Sequence, residues 1–176
     1  MKEEVIELDT VDKYNKFFKV ETYHPMVTVV DLSKITQPAQ PFTINYGIYA
    51  LFLKDTLCGD ITYGRQPYDY QEGTIVCFAP GQVASIHAQE GTRPTGYGLL
   101  FHPDFIRGTQ LGHDIRNYSF FSYEAREALH LSEEERHTVI DCLHKIDTEL
   151  KRPADKHSRR LITANIGLLL DLSLIH

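Results

Sequence analysis

"YGRQPYDYQEGTIVCFAPGQ" (Tyr63–Gln82) decides how this chain reads. A glycine follows a strand-like run. A glutamate and a glycine then precede a short apolar run that ends in Ala-Pro-Gly-Gln. Glycine tolerates positive φ and proline presets its own φ, so both mark tight turns. "GTIVCFAPG" (Gly73–Gly81) therefore reads as a strand between two turns. Such punctuation belongs to small β-barrels, some of which hold a metal, and the flanking residues must say whether this one does.

The flanks continue the pattern. "PMVTVVDLS" (Pro25–Ser33) is β-branched and follows a proline, and "ITQPAQP" (Ile35–Pro41) is a loop. "FTINYGIYALFLKD" (Phe42–Asp55) predicts two short strands or one long strand kinked at Gly47. "LCGDITYGR" (Leu57–Arg65), "VASIHA" (Val83–Ala88) and "TGYGLLFH" (Thr95–His102) complete the set. Short strands at close spacing predict a sandwich, jelly roll or barrel.

After His102 the period changes. "HPDFIRG" (His102–Gly108) predicts one helical turn between Pro103 and Gly108. Gly112 to Tyr123 reads as irregular and aromatic, and "SYEAREALH" (Ser122–His130) as a short helix. "SEEE" from Ser132 is a capping box, in which a serine side chain and a glutamate three residues on satisfy each other's backbone amides. Val139, Leu143, Ile146 and Leu150 then step by four, three and four, the spacing of one helix face. Pro153 ends that helix, and Asp155 or Ser158 can cap the next. There Leu161, Asn165, Leu168, Leu172 and Ile175 repeat the stepping. The chain stops at His176 within this apolar helix, which predicts that a further segment belongs to the natural protein.

The 176 residues suit one well-buried domain or a domain with a small appendage. The formal net charge of −6 and the lack of a Lys/Arg run argue against a grip on nucleic-acid phosphates. Cys58, Cys77 and Cys142 are widely spaced and form no Cys-x-x-Cys, so reduced thiols are expected. The acidic, polar start and the lack of a long apolar run predict a cytoplasmic protein with no membrane partner.

A metal-binding barrel needs histidines that share a strand face, as in His-x-His. None of the nine histidines forms that spacing. Cys58 and Asp60 share a face, with His87 a distant third, and this makes a poor site. His130, His137 and His144 share a helix face that reads as solvated. No nucleophile motif is present, and Cys77 reads as a buried inert thiol. No metal, no cofactor and no enzymatic activity are expected. Tyr63 with Arg65, and Tyr97 with Leu99 and Phe101, share strand faces. With Tyr46 and His87 they give a candidate ligand set of Tyr46, Tyr63, Arg65, His87 and Tyr97. Tyrosines with an arginine suit a small polar metabolite such as a sugar. The bland alternative is that these tyrosines only pack.

The ordered combination of "GTIVCFAPGQ", "GYGLLFHPDFIRGTQLGHDIRNYSFFSY" and two closing amphipathic helices resembles the N-terminal sensor half of an AraC-type transcription regulator. The resemblance covers the chain from about Val20 onward. It implies a mainly β plus α fold, with a cupin-like double-stranded β-helix, a jelly-roll barrel, followed by dimerisation and relay helices. Residues 1–22 would be an N-terminal arm, 23–108 the barrel, 109–131 an aromatic linker with a short helix, and 132–176 the helical element. It also implies a small-molecule effector, a homodimer, and DNA contact only through a C-terminal helix-turn-helix part outside this chain. Leu143, Ile146, Leu150, Leu161, Leu168 and Leu172 are the candidate dimerisation residues. The rival is a cupin-type metal-dependent enzyme, a sugar isomerase or dioxygenase. A third reading is an interaction module whose inner face is filled by Phe and Leu.

Overall fold

The computed structural model describes residues 4–36, 41–54, 59–63, 66–67, 73–88, 95–118, 121, 129–153 and 155–173. Among the described residues there are two five-stranded sheets and five α-helices. The first sheet holds β1 (Val5–Leu8), β3 (Phe42–Tyr46), β8 (Val83–Ala88), β5 (Gly59–Tyr63) and β6 (Gln66–Pro67), in that spatial order. The second holds β10 (Leu129–His130), β7 (Thr74–Phe78), β4 (Tyr49–Lys54), β9 (Gly96–Phe101) and β2 (Val27–Asp31). Pairing is antiparallel except between β1 and β3. Among the described strands no ladder joins the two sheets, so they face each other without closing into a barrel.

The alternatives at Gly47 resolve into two strands that belong to different sheets. The chain crosses over there, tight against the end of β1. A Cβ on Gly47 would lie 2.6 Å from the Asp9 Cβ, so only glycine fits without a shift.

Two cores lie on either side of the second sheet. Between the sheets pack Ile44 and Tyr46 of β3, Ala50 and Phe52 of β4, Val76 and Phe78 of β7, and Leu100 of β9. On the other face, Leu51, Leu53, Ile75, Cys77, Leu99 and Phe101 meet the C-terminal helices. Successive strand residues point to opposite faces. A sheet covered on both faces therefore shows no polar alternation, which is why "TIVCF" reads as a continuous apolar run.

Residues 5–18, expected within an N-terminal arm, form β1 and the helix α1 (Val11–Phe18). Thr10 caps α1 by accepting the Lys13 amide at 3.1 Å. Leu8, Val11, Tyr14 and Phe18 then enter the core between the sheets. Helix α2 (Pro103–Ile106) has Pro103 at its start, as the sequence predicts. The stretch expected to be irregular from Gly112 is entered by the end of α3 (Gln110–Asp114), because the Thr109 hydroxyl accepts the Gly112 amide at 3.1 Å and starts a turn. Of the short helix expected over 122–130, residues 122–128 lie outside the described residues. Leu129 and His130 are strand instead, because pairing Leu129 with Ile75 extends the free edge of β7.

Helix α4 (Glu133–Leu150) begins at the predicted capping box. The Glu135 amide donates to Ser132 Oγ at 3.2 Å, and the Ser132 amide donates to Glu135 Oε1 at 3.3 Å. Helix α5 (Lys156–Ser173) follows, with Asp155 Oδ1 accepting the Ser158 amide at 2.8 Å. Among the described residues no helix is long and apolar enough to cross a membrane.

Candidate functional site

The structure separates Tyr46 from Tyr97, the two candidate ligand residues whose side chains it describes. Tyr46 is buried between the sheets and stacks on Phe78 with ring centroids 4.9 Å apart. Burial holds its hydroxyl in the protonated form, well above the ordinary tyrosine range. Tyr97 projects from the opposite face of the second sheet and meets the His144 ring of α4 edge-on at 5.5 Å. Tyr97 shares its face with Leu99 and Phe101, as expected, and that face turns toward the helices and away from the space between the sheets. Gly96, Gly98 and Leu100 take the inner positions instead. A Cβ on Gly98 would come within 3.0 Å of the Phe52 ring and 2.8 Å of Val30 Cγ2, so the crowded inner face admits only glycine there.

The Tyr63 and His87 side chains and all of Arg65 lie outside the described residues. Their backbone registers are informative only in part: Asp60 pairs with His87, and Tyr63 pairs with Ala84. Among the described residues no group of three or more His, Cys, Asp or Glu side chains could hold a metal ion. Cys77 is buried, and desolvation raises its thiol pKa far above the ordinary value, so it is not poised as a nucleophile.

The candidate dimerisation residues divide as well. Leu143, Ile146 and Leu150 of α4 are buried in the core that joins the second sheet to the helices. They serve packing within one chain, so the expectation that they form a dimer surface is corrected. Leu172 is partly buried against the same core. Leu161 and Leu168 of α5 are 48% and 47% exposed, while Ile162, Ile166, Leu169 and Leu170 supply the buried face of that helix.

Two recesses flank these elements. A groove of about 590 Å³ runs along α5 beside α3. Lys156, Arg159 and Arg160 stand at one end, and Asp114 and Asp171 at the other. Gly167 forms part of its floor, with open space where a side chain would be. Arg159 is already committed, because its guanidinium donates to the Phe105 carbonyl at 2.9 and 3.1 Å and to the Arg107 carbonyl at 3.0 Å. The Tyr118 hydroxyl donates to Asp171 at 2.5 Å. Burial, followed by that hydrogen bond, keeps Tyr118 protonated as the donor.

The second recess, about 470 Å³, opens between the α1–β2 connection, the outer face of the second sheet and α4. Tyr97 and His144 form one wall, and Tyr23 stands at another. Lys151 Nζ lies 5.2 Å from the centre of the Tyr23 ring and 3.0 Å from Asp147. The Tyr23 hydroxyl donates to Glu21 at 2.9 Å. Lys19 and Lys34 complete the basic lining. The buried Asn15 amide orders this connection by donating to Thr22 Oγ1 at 3.0 Å and Thr28 Oγ1 at 3.3 Å.

Sequence reasoning named one member of this cleft, Tyr97, as a candidate ligand residue. It missed Lys19, Tyr23, Lys34, His144 and Lys151. These come from segments far apart in sequence, and no periodicity links them. The one local signal was a lysine, with no glycine or asparagine, at the end of α1. No protein-family model and no curated protein matches this chain.

Proposed function

We propose that this chain is the effector-sensing and dimerisation part of an AraC-type transcription regulator with a cupin-like jelly-roll fold. Consecutive strands alternate between the two facing sheets from β3 to β5 and from β7 to β9, which supports a jelly-roll path. The observation that carries the reading is the outer face of α5. Leu161 and Leu168 are half exposed on a helix whose other face is fully buried. The same helix is basic at Lys156 and Arg160 and acidic at Asp171, with Arg160 and Asp171 roughly 16 Å apart along the axis at 1.5 Å per residue.

An antiparallel pair of α5 helices brings the basic end of each beside the acidic end of the other, with the leucines meeting between them. A twofold axis requires this kind of self-complementary patch. DNA contact is not assigned to these helices, because the net charge of −6 opposes a phosphate backbone. Sedimentation velocity tests the dimer: the wild type should sediment as a dimer at tens of micromolar, and Leu168→Glu as a folded monomer. A wild-type monomer overturns the dimerisation reading for this chain.

A second reading has its own observation. Tyr14, Phe18, Phe42, Tyr46, Phe52 and Phe78 fill the described space between the sheets. This favours a dimerising interaction module with no ligand between the sheets. A sugar and carboxylate screen by thermal shift separates the two, since a ligand specific to the folded state raises its stability by linkage.

A further inference from the structure

We infer that His24 is an acid-sensitive latch between the connection leading into β2 and the start of helix α5. Two His-Pro turns lie side by side at one end of the second sheet. His24-Pro25-Met26 enters β2, and His102-Pro103-Asp104 leaves β9. The His102 amide joins them by donating to the Met26 carbonyl at 2.8 Å. A residue before proline is held in extended backbone, and His102 has φ −75° and ψ 141°. Each imidazole then folds over its own turn. His24 Nδ1 accepts the Met26 amide at 3.0 Å, and His102 Nδ1 accepts the Asp104 amide at 3.0 Å. A backbone N–H can only donate, so both Nδ1 atoms carry a lone pair. A proton there replaces the bond with two donors that face each other.

The two histidines differ in what a proton would meet. His102 Nδ1 lies 3.7 Å from an Asp104 carboxylate oxygen, and Asp9 adds a second carboxylate on that side. Asp104 is shared with Arg107 at 2.5 Å, and Asp9 with Lys13 at 2.7 Å. A charged His102 therefore exchanges an amide for an ion pair. His24 has no such exchange. Its ring stands edge-on to the Phe105 ring at 5.4 Å, and burial lowers its pKa below the ordinary value of 6.5. On its own connection, Glu21 is held by the Tyr23 hydroxyl at 2.9 Å. Lys151 and Asp147 of α4 reach this connection at Tyr23 and pair with each other at 3.0 Å. The charge beside the same Phe105 ring is the Arg159 guanidinium, 5.8 Å from the ring centre. A proton on His24 thus adds positive charge near an arginine.

Arg159 carries the effect to α5. Its guanidinium donates to the Phe105 carbonyl at 2.9 and 3.1 Å and to the Arg107 carbonyl at 3.0 Å, which holds the start of α5 to the end of α2. Phe105 is therefore contacted at its ring by His24 and at its carbonyl by Arg159. Losing the Met26 bond releases the His24 ring, and the grip on Phe105 loosens with it. Above the ordinary value of 6.5 the imidazole is neutral and the latch is whole. As pH falls below 6.5 the unfolded chain takes up the proton first, so the latch stabilises less. Its contribution is gone once pH has passed the lowered folded value. Helix α5 also bears the leucines of the dimer reading, but the latch lies within one chain and is tested there, so neither result decides the other.

The experiment is a pH titration of the whole chain by nitrogen-15 NMR, from about pH 8 to about pH 5, the range in which histidine titrates. It follows the imidazole nitrogens of His24 and the Nε–H of Arg159. His24 should start as the neutral form with its proton on Nε2 and should gain the Nδ1 proton with a midpoint below 6.5. The Arg159 Nε–H should shift with the same midpoint. Its protection from exchange, corrected for the intrinsic pH dependence, should fall about tenfold, the scale of one hydrogen bond.

His24→Asn offers an oxygen that accepts the amide two residues on and does not titrate. In that variant the Arg159 signal should stay still over the range. His102→Asn should keep the wild-type response. A wild-type Arg159 signal that ignores the His24 midpoint would overturn the inference, whether or not either variant folds. So would a response that survives in His24→Asn, or one that disappears in His102→Asn.

Discussion

Helices α4 and α5 are each 18 residues long, and their leucines and isoleucines recur at the same steps. Their fates differ. In α4 the stripe Val139, Leu143, Ile146 and Leu150 is wholly buried against the second sheet and α5. In α5 the stripe with the same stepping, Leu161, Asn165, Leu168 and Leu172, faces largely outward, and Ile162, Ile166, Leu169 and Leu170 face the core. An apolar stripe says that a helix face will be covered, and it does not say by what. Asn165 carried the missing information. The face of Ile162, Ile166, Leu169 and Leu170 takes the core, while the face bearing Asn165 is left for solvent or a partner.

The largest effect expected from this contrast is at Leu143. Leu143→Ala leaves a cavity beneath α4 and should cost about 2–5 kcal/mol, read as an early thermal unfolding transition by circular dichroism. Leu143→Glu should fail to fold, because it buries an unpaired charge. A soluble, cooperatively folded Leu143→Glu protein would show that α4 packs less tightly than described. The matching change on α5 should act quite differently. Leu168→Glu should alter the stability of the single chain by no more than about 0.5 kcal/mol, as for other exposed positions, while abolishing the dimer. Equal stability losses at Leu143 and Leu168 would dissolve the distinction between the two helices.

Much of the fold was legible because its cues are local. Gly-Pro punctuation placed β7, the Pro103 start placed α2, and the Ser132 box placed the start of α4. The orientation of strand faces was not legible. A sheet buried on both sides is apolar at both parities, so Tyr97 could be assigned to either face, and only the glycines at 96 and 98 mark the inner one. The N-terminal segment was missed as structure because β1 is a parallel edge strand whose pairing with β3 depends on residues some forty positions away. The cleft was missed for the same reason. Its lining is assembled by tertiary contact between α1, β2, β9 and α4, and no stretch of sequence contains it.

A smaller effect belongs to the cap of α4. Ser132→Ala removes the acceptor of the Glu135 amide and should cost about 1 kcal/mol. For a chain of this size that is a fall of roughly 2–4 °C in melting temperature. Ser132→Asp should retain most of the lost stability, because a carboxylate also accepts at this position. A neutral Ser132→Ala would mean that the box is present without contributing.

The smallest expected effect separates the two helices by pH. At the start of α4 the acceptor of the Glu135 amide is a serine hydroxyl, which does not titrate. The cap of α5 is the Asp155 carboxylate, whose pKa the Ser158 amide holds below the ordinary value of 3.8, with His157 adding to the shift. A carboxyl depressed in the folded state contributes its full stability above the unfolded pKa. That contribution is lost as pH falls through the folded pKa. The start of α5 should therefore loosen below pH 3.8 while the hydroxyl at the start of α4 keeps its bond. Hydrogen-exchange protection of the Ser158 and Arg159 amides should fall as pH drops below 3.8, over and above the change at Glu135. Asp155→Asn keeps an acceptor of nearly equal capping strength but cannot be protonated in this range, so it should flatten the difference. If the protection of α5 falls with acid just as steeply in Asp155→Asn, the loosening comes from elsewhere, and the pH contrast between the two caps is lost.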